Sequence, residues 1–207
     1  MKRNILILII AVFALTQAAA QTYDNLWKQA DIIARKDQPR SEIGVMKKII
    51  SKASAAQDYG QLMAAEMRQM ILWKEISADS LTPNVERMEA EVLKVKDPAL
   101  KAVRYAVLGK VYSDMDEKKS EEFFKKALQQ PELLAKHTST EYVPLTLKGV
   151  DGSSFNNDLL HLIGFEADSK EAYHLMYTYY NKVGNRGAAC LCAYKLIEKY
   201  RQDDVRE

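Results

Sequence analysis

Two cysteines, at 190 and 192, are all the thiol chemistry this 207-residue chain contains. On a helix, residues two apart point about 200° away from each other, so this pair cannot bridge without melting its own turn. The pair also lacks the two-residue gap and the nearby histidine of a zinc site. Stability must therefore come from a packed core and not from covalent staples. Histidine is equally scarce, and His137, His161 and His174 have no ligand spacing among them. No metal and no cofactor is expected. Strand-like alternation is nearly missing: only "EYVPLTLKG" shows it, and Pro144 would confine such a strand to a sheet edge. Charge of one sign is lacking too, with 30 basic against 28 acidic residues. A nucleic-acid binder shows a basic stripe or patch, and none is evident, so no nucleic-acid partner is expected.

The one long apolar run is at the start. "MKRNILILIIAVFALTQAAAQ" places Lys2 and Arg3 before an unbroken apolar stretch from Ile5 to Leu15, followed by Ala18-Ala19-Ala20. That is the order of a secretory signal peptide. The stretch falls short of the roughly 20 apolar residues of a membrane span. Residues 1–20 are expected to be removed before Gln21, leaving an exported chain, periplasmic or secreted, with no membrane span after cleavage. No cysteine near the cut offers a lipid anchor. Removal of Lys2 and Arg3 would leave 28 bases against 28 acids, so the exported chain is formally neutral.

What is abundant is helical periodicity. Leu26, Ala30, Ile33 and Ala34 share one face, and Ile43, Met46, Ile49, Ile50 and Ala53 share the next. Val85, Met88, Val92 and Val95 follow, in a helix that Thr82 can cap with Pro83 at its first position; Asp97-Pro98 repeats the signal for a helix to about Tyr112. Met63, Met67 and Met70 read as core. Four hairpins result, at about 22–57, 58–97, 98–130 and 168–201, with a joint at 131–167. Their spacing lies in the range of helical repeats. The expected fold is an all-α, right-handed array of antiparallel hairpins with an irregular joint near 138–167.

The third hairpin, "RYAVLGKVYSDMDEKKSEEFFKKALQQP", resembles a tetratricopeptide repeat. Tyr105, the Leu108-Gly109 pair and Tyr112 stand at its first-helix positions; Ser120, Phe124, Ala127 and Pro131 fit the second if the turn is one residue short. Tyr105, Leu108, Tyr112, Phe124 and Ala127 should be largely buried, and Gly109 should lie where two helices touch. The fourth hairpin fits more loosely, keeping Tyr173, Tyr180, Gly184-Asn185 and Ala189, with Asn185 as helix cap. The first two match only in length and amphipathicity.

A wider resemblance covers nearly all of the chain after the leader. "YDNLWKQADIIARKDQPRSEIGVMKKIISKA", "YGQLMAAEM", "DPALKAVRYAVLGKVY", "SFNNDLLHLIGFE" and "GNRGAACLCAYKLIE" look like the amino-terminal helical region of bacterial alpha-2-macroglobulin-like proteins. That resemblance implies a tetratricopeptide-like front end of an exported protease trap. It implies no trap in this chain: Cys190 is followed by Leu-Cys-Ala and Cys192 by Ala-Tyr-Lys, where a thioester needs Cys-x-Glu-Gln, and no sandwich domains follow. A natural stand-alone copy, a severed front end and a cropped chain all fit.

One stretch, "KGVDGSSFNNDLLHLIGFE", interrupts the helices and offers a hydrolase reading: His161 as base, Asp158 as its orienter, Ser153 or Ser154 as nucleophile. Against it, Asp158 and His161 lie three apart on one short helix, with no strand–turn–helix elbow to hold a serine. The plainer reading makes this a connection, with Asn156 or Asn157 capping a helix that Gly164 ends. "GNRGAA" lacks the strand and the Gly-Lys-Ser/Thr ending of a phosphate loop. No catalytic residue is assigned. The function expected is a non-catalytic interaction module that meets a protein partner or neighbouring domain. The alternative is a stand-alone periplasmic adaptor that binds peptides or proteins, for which a groove lined by Asn, Lys and Arg would speak.

The last helix, about Asn185 to Arg201, is apolar over too wide an arc. Ala189, Cys192, Ala193, Leu196 and Tyr200 face the preceding helix on a helical wheel. Cys190, Tyr194 and Ile197 extend the apolar arc to roughly 200°. These three are the candidate partner surface, for another domain, a separate protein or self-association, unless the joint folds back to cover them.

Overall fold

The computed structural model describes residues 22–204, apart from 78, 80, 147, 148 and 150. The signal-peptide reading of residues 1–20 lies outside them. Ten α-helices and two short 3-10 turns make up the described elements, and no strand is among them. The helices are α1 (Tyr23–Ala34), α2 (Pro39–Ala56), α3 (Tyr59–Ile76), α4 (Leu81–Val92), α5 (Pro98–Tyr112), α6 (Glu117–Ala127), the single turn α7 (Pro131–Leu134), α8 (Leu159–Ala167), α9 (Lys170–Lys182) and α10 (Arg186–Asp204). Neighbouring helices pack in pairs, which makes the chain an all-α array. The described part of "EYVPLTLKG" forms no strand, and Ser139–Tyr142 is a 3-10 turn.

Short polar residues start most of these helices by satisfying first-turn N–H groups. Asp58 Oδ1 accepts from Gln61 N at 3.2 Å, Asp97 Oδ1 from Leu100 N at 2.7 Å, and Asp116 Oδ1 from Lys119 N at 3.1 Å. Ser169 Oγ and Asn185 Oδ1 do the same for α9 and α10, at 3.1 and 3.2 Å. Asp97 and Asn185 thus act as expected. Thr82 does not, because α4 begins at Leu81 and takes Thr82 and Pro83 into its first turn.

The four expected hairpins coincide with α1/α2, α3/α4, α5/α6 and α9/α10, but the second is a pair in sequence more than in space. α3 packs most extensively on α2 and only lightly on α4. The reason is its composition, since "YGQLMAAEMRQMILWKEI" is apolar on two faces. Ala65 and Leu72 join Leu26, Ala30, Ile43, Met46 and Ile49 in a small cluster with α1 and α2. Met63 and Met70 face the other way, into the large core shared by the rest of the chain. α3 is the wall between two cores.

The α5/α6 pair packs closely. Leu108, Tyr112, Phe124 and Ala127 are buried, while Tyr105 is half-buried. A Cβ on Gly109 would stand 2.8 Å from the Phe124 ring, and Ser120 Oγ donates to the Gly109 carbonyl at 2.8 Å. Glycine at this point lets the two backbones approach, and the serine then uses the carbonyl it uncovers.

The joint is more than a connection. Its 3-10 turn Gly152–Phe155 and helix α8 place Phe155, Leu159, Leu160 and His161 at 0–1 % exposure, among the most enclosed side chains of the molecule. α8 packs against α5, α6 and α9. Fully burying one such side chain contributes roughly 1.5–3 kcal/mol. The supposed irregular joint is the centre of the carboxy-terminal core.

Candidate functional site

Three places are candidates for function: the Asp158/His161 stretch, the outer face of α10, and an open groove that only the fold reveals. Around Asp158 the two arms of the joint meet. Ser139 N donates to the Asn157 carbonyl and Leu159 N to the His137 carbonyl, both at 2.9 Å, across an isolated Thr138–Asp158 bridge. Asp158, and neither Asn156 nor Asn157, then caps α8, its Oδ1 accepting from His161 N at 2.8 Å. Both asparagines instead take left-handed backbone conformations, with φ of 56° and 54°, in the tight bend before the cap. Gly164 does not end α8 either: the helix runs on to Ala167, and Met176 of α9 packs into the space that a Cβ on Gly164 would fill.

The Asp158 carboxylate is committed a second time. Tyr180 Oη donates to both of its oxygens, at 2.8 and 3.0 Å. Burial pushes this carboxyl up to about 6, against the pull of the His161 N–H and the Tyr180 hydroxyl. Burial, then the Asp158 charge, push the Tyr180 hydroxyl well above its ordinary range. The His161 ring is fully buried, stacked on Phe155 with centroids 4.1 Å apart and planes 3° apart, and Phe165 meets it edge-on at 4.5 Å. Gly149 lies against its Cε1 edge. Ser153 and Ser154 are exposed on the 3-10 turn. Asp158 and His161 do lie together as neighbours, but the contact is carboxylate to backbone N–H. The arrangement is chemically a helix cap, an aromatic stack and a buried acid–phenol pair.

On α10, Ala189 and Cys192 are buried against the core, and Ala193 and Leu196 are half-buried. Tyr200 departs from the expected face: it is 54 % exposed, with Lys170 Nζ 4.4 Å from its ring centroid. Near the end of α10 it is the neighbouring Lys199 that reaches inward, to Asp168 at the α8–α9 corner. Tyr194 and Ile197 are 59 % and 58 % exposed, and Cys190 is exposed beside them. The joint does not cover them. It meets the start of α10, where Asn185 Nδ2 donates to the Ser154 carbonyl at 2.9 Å, and its Asp158 lies on the inner side of the helix, towards Cys192. The two thiols differ accordingly, since burial and the Asp158 charge push Cys192 up to about 12.

The groove lies at the other end of the chain and has a volume of about 400 Å³. Lys47 and Ile50 of α2, Gln69 and Trp73 of α3, and Asn84 and Arg87 of α4 line it. It exists because α4 packs only lightly on α3, leaving a channel beside the tight α2/α3 contact. Periodicity could not show it, although the basic run "MKKIISK" in α2 was a readable signal. Among the described residues no three histidine, cysteine, aspartate or glutamate side chains gather as metal ligands, and no helix is long and apolar enough to cross a membrane.

The chain matches no family model, no curated protein and no solved structure. Its class rests on its architecture, an all-α array of packed helix pairs.

Proposed function

We propose that the chain is an exported, non-catalytic helical-repeat interaction module of the kind found at the front of bacterial protease-trapping alpha-2-macroglobulin-like proteins. The observation that carries this reading is the stripe Cys190, Tyr194 and Ile197. They stand at i, i+4 and i+7 of one helix, and all three are exposed. A helix face left to water is normally polar. An apolar outer stripe fits a neighbour that packs on it, whether an adjoining domain, a separate protein or a second copy. The non-catalytic part draws on Asp158, whose carboxylate is spent on the α8 cap and on Tyr180.

A photo-crosslinking residue in place of Tyr194, in the chain expressed with its own leader, tests the reading. One discrete adduct is expected, lost in Ile197→Glu while the helical signal is kept. Only unmodified monomer, or a diffuse smear that Ile197→Glu leaves unchanged, would sink it. The exported product should have a mass that begins at Gln21; a retained Met1 on a membrane-bound form would contradict the leader.

A second reading, a periplasmic adaptor for peptides or proteins, is favoured by one specific observation: the groove between α2, α3 and α4 with Lys47, Asn84 and Arg87 on its walls.

A further inference from the structure

The groove's lining is chemically one-sided. Every residue on it is neutral or cationic, and its volume lies in the roughly 300–1,000 Å³ range of ligand pockets. Ile50 and Trp73, both half-buried, give it an apolar floor. Gln69 is buried at its base, only 7 % exposed. Lys47 and Arg87 are exposed on the walls, and Lys47 has no ion-pair partner among the described residues. Glu91 engages Arg87 at Nη1, at 2.8 Å. A guanidinium carries five donors, so one such contact does not exhaust it.

On the α2 wall the surroundings reinforce the sign, whereas α4 sets Glu86, Glu89 and Glu91 beside Arg87. α2 carries Arg40, Lys47, Lys48 and Lys52, and its one acid, Glu42, is 2 % exposed and paired with Arg68 Nε at 2.7 Å. Arg40, Lys47 and Lys48 all face solvent, so this helix presents an unbalanced positive face beside the groove, in a chain whose charges otherwise nearly cancel. Neutral amides offer both a donor and an acceptor, which is what an extended peptide backbone requires; cations on the two walls take carboxylates. One aromatic floor residue suits a single apolar side chain and gives no run of stacking platforms for a nucleic-acid strand.

We infer that the groove between α2, α3 and α4 binds an extended acidic peptide segment, with its carboxylates on Lys47 and Arg87, its backbone on Gln69 and Asn84, and one apolar side chain on Trp73 and Ile50. This inference rests on the adaptor reading and is independent of the α10 stripe.

The probe is a fluorescein-labelled Asp-Glu-Leu-Glu-Leu-Asp-Glu peptide, titrated into the full exported chain at low ionic strength and followed by anisotropy. Saturable binding is expected, weakening with added salt and perturbing tryptophan emission. Lys47→Glu and Arg87→Gln should each weaken it by about tenfold, the order that one charge pair at a binding site supplies. Both residues are exposed, so unchanged thermal unfolding of the variants separates lost binding from lost fold. The Asn/Gln counterpart peptide should not bind. Absence of saturable binding, equal binding by Lys47→Glu/Arg87→Gln, or tighter binding of a labelled oligothymidine through the same two residues would overturn the inference. If the Tyr194 adduct persists in the Lys47→Glu/Arg87→Gln variant, the α10 module is confirmed as separate. Loss of that adduct would show that groove and stripe are one site and overturn the independence claimed for them.

Discussion

The two cores of this protein are built from different materials. The cluster of α1, α2 and α3 buries only aliphatic, methionine and alanine side chains, with Trp27, Trp73 and Tyr23 half-buried at its margins. Its polar ties are few: Glu42 to Arg68, and Trp27 Nε1 donating to Gln61 Oε1 at 2.7 Å. The carboxy-terminal core instead holds a connected set of rings, the buried Phe155 against His161 and Tyr180, and the half-buried Phe165 against His161 and Tyr173. A small aliphatic cluster buries little area per residue ordered, whereas large rings bury much and lock geometry. The first region should open on its own, and the second should hold until the whole chain unfolds.

The sharpest way to break that comparison is at Phe155. Phe155→Ala should cost about 3–5 kcal/mol and lower the single main unfolding transition, because the cavity opens at the centre of the larger core. Calorimetry that showed loss of only a minor transition would reverse the assignment. Ile49→Ala, in the smaller cluster, should cost about 2–4 kcal/mol. Here hydrogen exchange should speed up across 23–76, with 98–182 still protected; uniform acceleration would mean that the two cores are one cooperative unit.

A third measurement uses the buried acids. The Asp158 carboxyl is raised from 3.8 to about 6 in the fold, so the native state holds its proton more tightly than the unfolded chain. That contribution is fully present below about pH 4 and is lost as pH rises through about 6. Urea unfolding should therefore show up to about 3 kcal/mol of declining stability over this window, which Asp158→Asn removes. Glu66, buried beside Arg104 between α3 and α5, is also raised by burial and has the same sign. Removal of the slope by Glu66→Gln, with no effect from Asp158→Asn, would shift the titration to the boundary between the cores. The smallest effect is expected at Gly109→Leu, about 1–3 kcal/mol from overpacking against Phe124. An unchanged melting temperature would mean that α5 and α6 can separate without penalty.

Much of this was legible in the chain. The helix starts at Asp97 and Asn185 and the close approach at Gly109 follow from local chemistry, which is why they survive into the fold. What was not legible depends on partners distant in sequence. Gly164 reads as a helix stop until Met176 is known to fill the space beside it. The asparagines read as caps, but an aspartate one residue later wins because its second role, accepting from Tyr180, comes from 22 residues away. "DLLHLIGFE" carried a stronger message than its loop-like approach: a cap followed by four apolar residues in five is the start of a buried helix. Likewise an α3 that is apolar on two faces implies neighbours on both sides, but which neighbours depends on the fold. The groove had only the basic run of α2 as its signal, since its walls come from three helices.

The two cysteines acquire a practical meaning from their opposite surroundings. Cys192 is at 0 % exposure with its thiol pushed up to about 12, while Cys190 is exposed two residues away. An alkylating reagent or oxidant therefore meets one sulfur in the folded chain and two in the unfolded one. Two residues apart, the pair works as a built-in register of the state of α10: the outer thiol reports what covers the stripe, and the inner one reports only whether the helix has left the core.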